Sequence, residues 1–359
     1  MNILLTGGGT AGHAWPVVLI AKSLLKNKRN RVLYVGSAGI ERELAKKSEI
    51  PFRRIVAGKR RAYFSVMNFF DVFKTFFGII QAYFIFIFFK PSVIFAKGGY
   101  VTVPIIFWAR VFKTPLVIHE SDSVMGRANL WAAKYAKKVC LGFPVKDYEN
   151  LQIPLSKLVY TGVPVGEEFF QTPVQFGSSK RILITGGSQG SERINKIIAE
   201  VLPSLTRKYE IWHFSGEKDL AKLSQFKSDN YHLYGFSFEL SKYLRDADLV
   251  ITRAGASTLA EISAAKKPAI IIPLSSAASG HQERNAKVFS DLNAAVVLSE
   301  SNLSAGSLES IIDNLMEDEK IRNLLGHHAY SLARPGAVSE IIDVLFEAAS
   351  HEQLDNFEN

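Results

Sequence analysis

The sequence predicts an α/β protein built from two doubly wound parallel-sheet (Rossmann-like) domains that face each other across a cleft. Short apolar runs alternate with helical patterns along all 359 residues, as in ILLT from Ile3, a helix at about residues 16–25, and RVLYVG from Arg31. The chain also repeats itself, because residues 3–8 (ILLTGG) match residues 182–187 (ILITGG). Two similar domains in tandem explain this repeat.

The domain boundaries follow from Gly and Pro punctuation and from a reversal of charge. Residues 159–166 (VYTGVPVG) punctuate the middle of the chain, and residues 334–336 (RPG) mark a second crossing. We therefore predict a first domain at residues 1–162 and a second at residues 163–336. The periodic apolar segment at residues 337–350 predicts a terminal helix that packs back on the first domain.

Composition narrows the class of protein. Hydrophobic residues make up 47% of the chain, which excludes a disordered protein, and the single cysteine, Cys140, excludes an internal disulfide. The first residues enter a strand pattern directly, so we expect a cytoplasmic protein without a cleaved signal.

Residues 1–163 hold 24 Lys and Arg against 8 Asp and Glu, so the first half suits an anionic partner. We find no nucleic-acid-binding motif in it, and expect a membrane surface or a phosphorylated substrate rather than nucleic acid.

Four glycine-rich loops share one design, in which a buried strand ends in small residues that open a helix. They lie at residues 6–13 (TGGGTAGH), 97–100 (KGGY), 185–190 (TGGSQG) and 253–261 (RAGASTLAE). Backbone N–H groups at such helix starts bind phosphate. The first loop satisfies G-x-G-x-x-G, but no acidic residue ends the following strand, and it lacks the Lys-Ser/Thr of a P-loop. Phosphate loops in both halves therefore favour group transfer from a diphosphate donor over NAD-dependent oxidation or nucleotide hydrolysis.

A basic and aromatic segment at residues 59–90 suits a membrane surface. Its most apolar window, residues 76–89, has about fourteen residues, fewer than the roughly 20 that span a bilayer. For residues 78–89 we favour a buried helix of the first domain, and we assign membrane contact to the earlier part. The residues expected at the membrane are Arg60, Arg61, Phe64, Phe69 and Phe70.

Several motifs together, in order and spacing, resemble the MurG family of inverting GT-B glycosyltransferases: GGGTAGHAWP, KGGYVTVP, IHESD, GGSQGSERIN, TRAGASTLAEISAAKKPAIIIP and HQERNA. The resemblance covers roughly residues 1–345. It implies transfer of N-acetylglucosamine from UDP-N-acetylglucosamine to undecaprenyl-diphosphate-linked N-acetylmuramoyl-pentapeptide (lipid I), giving lipid II for peptidoglycan. It further implies a peripheral enzyme on the cytoplasmic face of the cell membrane, with UDP-N-acetylglucosamine as co-substrate.

The resemblance assigns the donor chiefly to the second domain, with the nucleotide at the start of the helix after residue 255 and the ribose hydroxyls on Glu261. A carboxylate accepts two hydroxyl protons well, although the spacing Thr258-x-x-Glu261 also fits a helix capping box. His281 and Gln282 stand where the family has a sugar-binding glutamine pair, or else are polar residues of a solvated loop. The implied donor-binding residues are Thr10, Ala11, Gly12, Ser188, Gln189, Ser237, Ala256, Ser257, Thr258, Leu259, Ala260, Glu261, His281 and Gln282.

On the acceptor side, the resemblance places residues 97–100 and the loop at residues 121–126 around the lipid-linked diphosphate. The implied acceptor-binding residues are Gly9, Gly98, Gly99 and Tyr100. Inverting transfer needs a base for the acceptor hydroxyl, and a histidine is largely neutral at working pH. The candidate catalytic residues are His13, Asp122 and His119; each histidine has a simpler reading as a hydrogen-bonded packing residue.

Three positions depart from the family pattern. The segment that reads HEQN in the family reads HESD here, which puts the carboxylate of Asp122 in place of an amide. The segment that reads GNPVR in the family reads GVPVG here, so Gly166 stands in place of the arginine. His281 stands in place of a glutamine. A carboxylate repels a diphosphate unless it acts as the base or is screened. Another lipid acceptor such as diacylglycerol, or a non-catalytic nucleotide-sugar-binding protein, therefore remains an alternative. No metal-ligand spacing is present in the sequence, so we expect no metal requirement.

Overall fold

The computed structural model describes residues 1–58, 66–148, 152–171, 180–187, 189–237, 239–275, 277 and 280–355. Contacts divide the chain into two compact units. Unit 1 comprises residues 1–164 and 336–359, and unit 2 comprises residues 165–335. Each unit is a parallel sheet covered by helices, which confirms the predicted fold class of two doubly wound α/β domains.

Unit 1 is built on a seven-stranded parallel sheet in the order β3-β2-β1-β4-β5-β6-β7. The strands are β1 Asn2–Thr6, β2 Arg31–Gly36, β3 Phe52–Arg54, β4 Val93–Ala96, β5 Leu116–Glu120, β6 Lys138–Leu141 and β7 Leu158–Tyr160. The helices between them are α1 Ala11–Leu25, α2 Ile40–Lys47, α3 Val66–Phe89, α4 Val103–Val111 and α5 Arg127–Ala133. Helix α1 begins five residues before the predicted start, because the small residues of the first glycine loop already belong to its first turn.

Unit 2 is built on a six-stranded parallel sheet in the order β10-β9-β8-β11-β12-β13. The strands are β8 Arg181–Thr185, β9 Glu210–Phe214, β10 Tyr231–Tyr234, β11 Leu249–Thr252, β12 Ala269–Ile271 and β13 Val296–Val297. The helices are α6 Glu192–Leu205, α7 Glu217–Leu223, α8 Leu240–Asp246, α9 Ala256–Ala264, α10 His281–Asp291, α11 Ala305–Glu317 and α12 Glu319–Tyr330. Isoleucine and leucine from β8, β11 and α6 form its core, as buried parallel strands require.

The last helix, α13 Ala337–Asp355, belongs to unit 1 although it follows unit 2 in the chain. Ile341, Val344 and Leu345 lie in the same buried cluster as α1 and the central strands. In the second half of the helix, the Ala348 carbonyl accepts a hydrogen bond from Lys137 Nζ over 3.3 Å. Unit 1 is therefore completed by a segment distant in sequence.

Helix α3 differs from the buried helix that the sequence favoured for residues 78–89, and that prediction is wrong. One side is buried, with Ala82, Ile85 and Phe86 packed into unit 1, but Phe84 and Phe88 are 52% and 80% exposed. The helix is also longer than the fourteen-residue apolar window. By length and composition alone, Asp71–Phe89 is long and apolar enough to cross a membrane, with 17% of that stretch buried.

Both sheets reverse their strand order at one point, between β1 and β4 in unit 1 and between β8 and β11 in unit 2. In open parallel sheets, ligands bind beyond the carboxyl ends of the strands at this reversal. All four glycine-rich loops follow these four strands. The topology therefore selects one candidate site in each unit.

Candidate functional site

In unit 1, the glycine loops after β1 and β4 pack directly against each other. Gly98 and Gly99 have φ values of +98° and +89°, which L side chains rarely adopt. A Cβ on Gly99 would lie 2.5 Å from the Gly8 carbonyl oxygen, and one on Gly9 would lie 3.3 Å from the Tyr100 ring. The structure thus brings together the four residues expected at the acceptor, Gly9, Gly98, Gly99 and Tyr100.

His13 is the last residue of the first glycine loop, lies in the first turn of α1, and is half-buried. Its Nδ1 is 2.9 Å from the hydroxyl of Thr10, the residue that precedes the helix. If Nδ1 carries the proton and donates to Thr10, Nε2 keeps a lone pair with which to accept a proton. Thr10, Ala11 and Gly12 form the same helix start and are likewise half-buried.

His119 is enclosed at the end of β5 with no exposed surface. Its Nε2 donates to the Gly162 carbonyl over 2.8 Å, while its Nδ1 is buried and has no hydrogen-bond partner among the described residues. Burial lowers the pKa of the His119 imidazole well below its usual value, and the charge of Lys97 lowers it further. The ring is therefore neutral and closed off from solvent, which suits a positioning role better than contact with substrate.

Glu120, the last residue of β5, shapes the loop at residues 121–126. Its carboxylate accepts from the backbone N–H groups of Asp122 and Gly126, over 3.0 and 2.9 Å, and from Asn129 Nδ2 over 2.9 Å. Burial and the neighbouring Asp122 raise the pKa of Glu120, and Lys97 opposes the rise. The Glu120 carboxylate therefore holds this loop in place through three hydrogen bonds.

In unit 2, Arg253 joins three segments at the sheet reversal. Its guanidinium donates to Ser191 Oγ over 2.9 Å, to the Ile272 carbonyl over 3.1 Å, and forms an ion pair with Glu300 at 2.6 Å. The side chain of Arg253 is 8% exposed. Ser191 caps α6 by accepting from Ile194 N, so Arg253 fixes the end of the TGGSQG loop. Neither Arg253 nor Glu300 was among the predicted site residues; the one signal was a charged residue directly after the apolar strand LVIT.

Glu261 lies in the second turn of α9, which begins at Ala256 after Gly255. Thr258 is inside the helix rather than before it, so the capping-box alternative for Glu261 is wrong. The carboxyl is half-buried. Burial raises the pKa of Glu261 to about 8, and the nearby Glu168 adds to the rise. Hydroxyl groups that donate hydrogen bonds to this carboxylate would stabilise its charged form.

The other expected donor residues lie on loops and helix starts of unit 2. His281 opens α10 after Gly280, and Gln282 Oε1 accepts from Leu274 N over 3.0 Å, which ties α10 to the loop after β12. Ser237 Oγ accepts from Glu239 N over 3.0 Å. Gln189 is exposed in the TGGSQG loop, and Ala256, Ser257, Thr258, Leu259 and Ala260 form the start of α9.

Some predicted positions fall outside what the structure describes. Ser188, Arg60, Arg61 and Phe64 lie outside the described residues, as does the side chain of Phe70. Phe69, by contrast, is 64% exposed on α3. Within the described part of the chain, no group of three or more His, Cys, Asp or Glu side chains could hold a metal ion.

Family models match both halves of the chain. The glycosyltransferase family 28 N-terminal domain matches residues 3–141, and the glycosyltransferase family 28 C-terminal domain matches residues 181–330. Together these matches cover most of the chain and show that it is a glycosyltransferase. The two family models do not specify the donor or the acceptor of the reaction.

Curated relatives carry one function. A protein of Clostridium novyi is 37% identical over 338 residues, covering 90% of this chain and 93% of its own, and one of Legionella pneumophila is 37% identical over 340 residues, covering 90% and 92%. Both are named UDP-N-acetylglucosamine–N-acetylmuramyl-(pentapeptide) pyrophosphoryl-undecaprenol N-acetylglucosamine transferase.

Solved structures agree. MurG of Acinetobacter baumannii superposes with a TM-score of 0.74 at 26% identity, covering 96% of this chain and 99% of its own. A glycosyltransferase of kitacinnamycin superposes with a TM-score of 0.76 at 14% identity, which supports the fold alone. The chain therefore belongs to glycosyltransferase family 28 and, within it, to the MurG family of N-acetylglucosaminyltransferases.

Proposed function

We propose that this chain transfers N-acetylglucosamine from UDP-N-acetylglucosamine to lipid I, with inversion at the sugar carbon, and so forms lipid II for peptidoglycan. The observation that carries the proposal is the identity of 36–38% over about nine-tenths of the chain to relatives of that name. The two glycine-loop sites, one at each sheet reversal, supply a phosphate-binding edge for each of the two diphosphate substrates.

We place the donor in unit 2. The backbone N–H groups in the first turn of α9 and the positive end of its dipole suit the diphosphate of UDP, and Glu261, one turn further, suits the ribose hydroxyls. Arg253 donates a hydrogen bond to Ser191, the residue that follows the TGGSQG loop. The charge that develops on UDP as it leaves meets backbone N–H groups and a helix dipole, so the residues present stabilise it without a metal ligand set.

We place the acceptor in unit 1, beside the packed loops that carry Gly9, Gly98, Gly99 and Tyr100. The acceptor hydroxyl forms a bond to the sugar carbon as the bond to UDP breaks, and its proton passes to a base. His13 is the first candidate, because it is half-buried at the loop and Thr10 can hold its Nδ1–H. Asp122 is the second, and the enclosed His119 serves as support for the loop rather than as the base.

We propose further that unit 1 docks peripherally on the cytoplasmic face of the cell membrane, through α3 and α4. Phe84 and Phe88 of α3 and Phe107 and Val111 of α4 are exposed large apolar side chains. Trp108 of α4 donates its Nε1–H to the Ile79 carbonyl over 2.7 Å, so the two helices form one surface.

Charge beside this surface supports docking on anionic lipid. A cavity of about 450 Å³ near α4 is lined by Arg110, Lys113, Lys137 and Lys157. Cations next to exposed aromatic and aliphatic side chains suit phospholipid headgroups. The opposite side of α3 is packed into unit 1, so we propose that the helix lies on the membrane instead of crossing it.

The experiment that tests the proposed function measures UDP release by the purified protein with UDP-N-acetylglucosamine, with and without a short-chain lipid I analogue. We expect acceptor-dependent release together with the β-linked disaccharide product. Release that requires diacylglycerol instead would assign another acceptor, and donor binding without acceptor-dependent release would indicate a binding protein.

A further inference from the structure

A buried histidine in unit 2 joins three elements behind the TGGSQG loop. His213, on β9, has no exposed surface. Its Nδ1 is 2.9 Å from the Tyr231 hydroxyl on β10, and its Nε2 is 3.0 Å from Asn195 Oδ1 on α6. Tyr231 and Asn195 are buried as well. All three side chains are closed off from solvent, so any effect on a ligand passes through the backbone that they hold.

The hydrogen bonds of Asn195 fix the direction of this chain of contacts. Asn195 Nδ2 donates to the Ser215 carbonyl and to Asp219 Oδ2, each over 2.9 Å, so the amide atom that faces His213 is the acceptor Oδ1. His213 Nε2 therefore carries the proton and donates it, while Nδ1 accepts from the Tyr231 hydroxyl. Burial lowers the pKa of His213 to about 3, although Asp219 acts in the opposite direction, so the ring stays neutral. We call the chain from Tyr231 through His213 and Asn195 to Ser215 the His213 relay.

The relay ends on the backbone that supports the TGGSQG loop. A Cβ on Gly190, the last residue of that loop, would clash with the Ser215 carbonyl oxygen. A Cβ on Gly216 would lie 2.7 Å from the Gln189 carbonyl oxygen. The two backbones therefore touch where neither has a side chain. Ser215 and Gly216 form the support on which the second half of the loop rests.

We propose that His213 is a positioning residue for the sugar donor, because it orients Asn195, which holds Ser215 in place and so keeps the TGGSQG loop in the conformation that binds the donor diphosphate. The proposal rests on the proposed function, in which the donor lies in unit 2. The loop follows β8 and the start of α9 follows β11, so both lie at the same sheet reversal. The relay should therefore act on the diphosphate of the donor and leave the binding of its nucleoside unchanged.

Three variants and two ligands test this role. His213→Leu removes both hydrogen bonds of the ring, whereas His213→Gln keeps an N–H donor for Asn195. Val201→Ala, in the core beneath α6, is the matched control, because it destabilises unit 2 without removing a hydrogen bond of the relay. Each protein is melted, titrated calorimetrically with UDP, and titrated with uridine in competition with UDP. The KM values of UDP-N-acetylglucosamine and of the lipid I analogue are measured on the same samples.

We expect His213→Leu to raise the Kd of UDP and the donor KM by at least about tenfold, and to leave the Kd of uridine and the acceptor KM within about twofold. His213→Gln should bind UDP within about threefold of the unmodified protein, because the orientation of Asn195 is kept. Val201→Ala should lower the melting temperature and leave the Kd of UDP within about twofold. If His213→Leu does not fold, Asn195→Ala takes its place and should show the same selective loss for UDP.

Equal losses for UDP and uridine would mean that the relay serves only the folding of unit 2, as would an equal loss of UDP binding in Val201→Ala. An unchanged Kd of UDP in His213→Leu would remove the histidine from the donor site. Each of these results overturns the proposal, and so does the absence of UDP binding by the unmodified protein. If the unmodified protein binds UDP but does not turn over lipid I, the proposed function fails while the comparison of UDP with uridine still decides the role of His213.

Discussion

Replacing Glu261 by glutamine should weaken donor binding and, at the same time, stabilise the protein. The carboxyl lies half-buried on α9, where burial raises its pKa from 4.5 to about 8. The folded protein thus binds a proton that the unfolded chain releases above pH 4.5. The stability that this proton contributes is complete below pH 4.5 and is lost as the pH rises through 8.

The size of the effect follows from the shift. At about 1.4 kcal/mol for each pH unit, the full shift would correspond to about 5 kcal/mol. Because the side chain is partly exposed, solvent screening reduces this figure, and we expect about 1–2 kcal/mol. Glu261→Gln should therefore melt about 3–6 °C higher than the unmodified protein at pH 8.5 and within about 1 °C of it at pH 4.5.

UDP binding should change in the opposite direction. Hydrogen bonds to a charged group contribute about 1.5–3 kcal/mol, so loss of the carboxylate should weaken UDP binding about ten- to a hundredfold at pH 8.5. In the unmodified protein the affinity should rise with pH between 6 and 8.5, since ribose hydroxyls favour the ionised carboxyl. In the variant it should stay nearly constant over this range.

Titration calorimetry with UDP at several pH values and thermal melts of the same samples provide the measurements. Glu200→Gln, an exposed glutamate of α6, is the matched control and should change neither quantity. Unchanged UDP affinity in Glu261→Gln at pH 8.5 would refute ribose binding by this carboxyl. Destabilisation at that pH would refute the assigned burial.

Three further predictions concern other parts of the molecule. His13→Ala should lower kcat at least about a hundredfold with the donor KM changed by less than about threefold, and near-normal turnover would exclude His13 as the base. Arg253→Met should leave Glu300 without its ion-pair partner and Ser191 without a donor, and should destabilise unit 2 by about 1–3 kcal/mol, as measured by denaturant unfolding, whereas a loss below about 0.5 kcal/mol would contradict the role of the buried Arg253. The double change Phe84→Ser and Phe88→Ser should lower sedimentation with vesicles of anionic phospholipid at least about fivefold while leaving the melting temperature within about 2 °C; unchanged sedimentation would remove α3 from the docking surface.

The fold could be predicted from the sequence because each element carries its own signal. The repeat of ILLTGG as ILITGG, followed both times by a glycine loop and a helix, was sufficient to predict two doubly wound domains. The glycine loops also gave the edge of each sheet where a ligand site lies. These are local patterns, and local patterns are what a single sequence contains.

Relations between distant segments could not be predicted in the same way. Apolar residues of α3 repeat on every side, so periodicity alone did not distinguish a buried helix from one with an exposed aromatic face. The spacing of Thr258 and Glu261 fits a capping box, and only the start of α9 at Ala256 shows that Thr258 is already inside the helix. Lys97 and Ser121 are separated by 24 positions, and their contact depends on the neighbouring places of β4 and β5 in the sheet.

The return of α13 to unit 1 makes the order of synthesis matter. A ribosome completes residues 1–164 long before it reaches Ile341, Val344 and Leu345, so the newly made first unit lacks part of its core while residues 165–335 are being added. A chain cut short at residue 335 would leave an apolar seat along α1 exposed, although the residues of both ligand loops would be present. Chaperones and proteases recognise such surfaces. The core of unit 1, the unit that we propose meets the membrane, is therefore complete only after α13 has been synthesised.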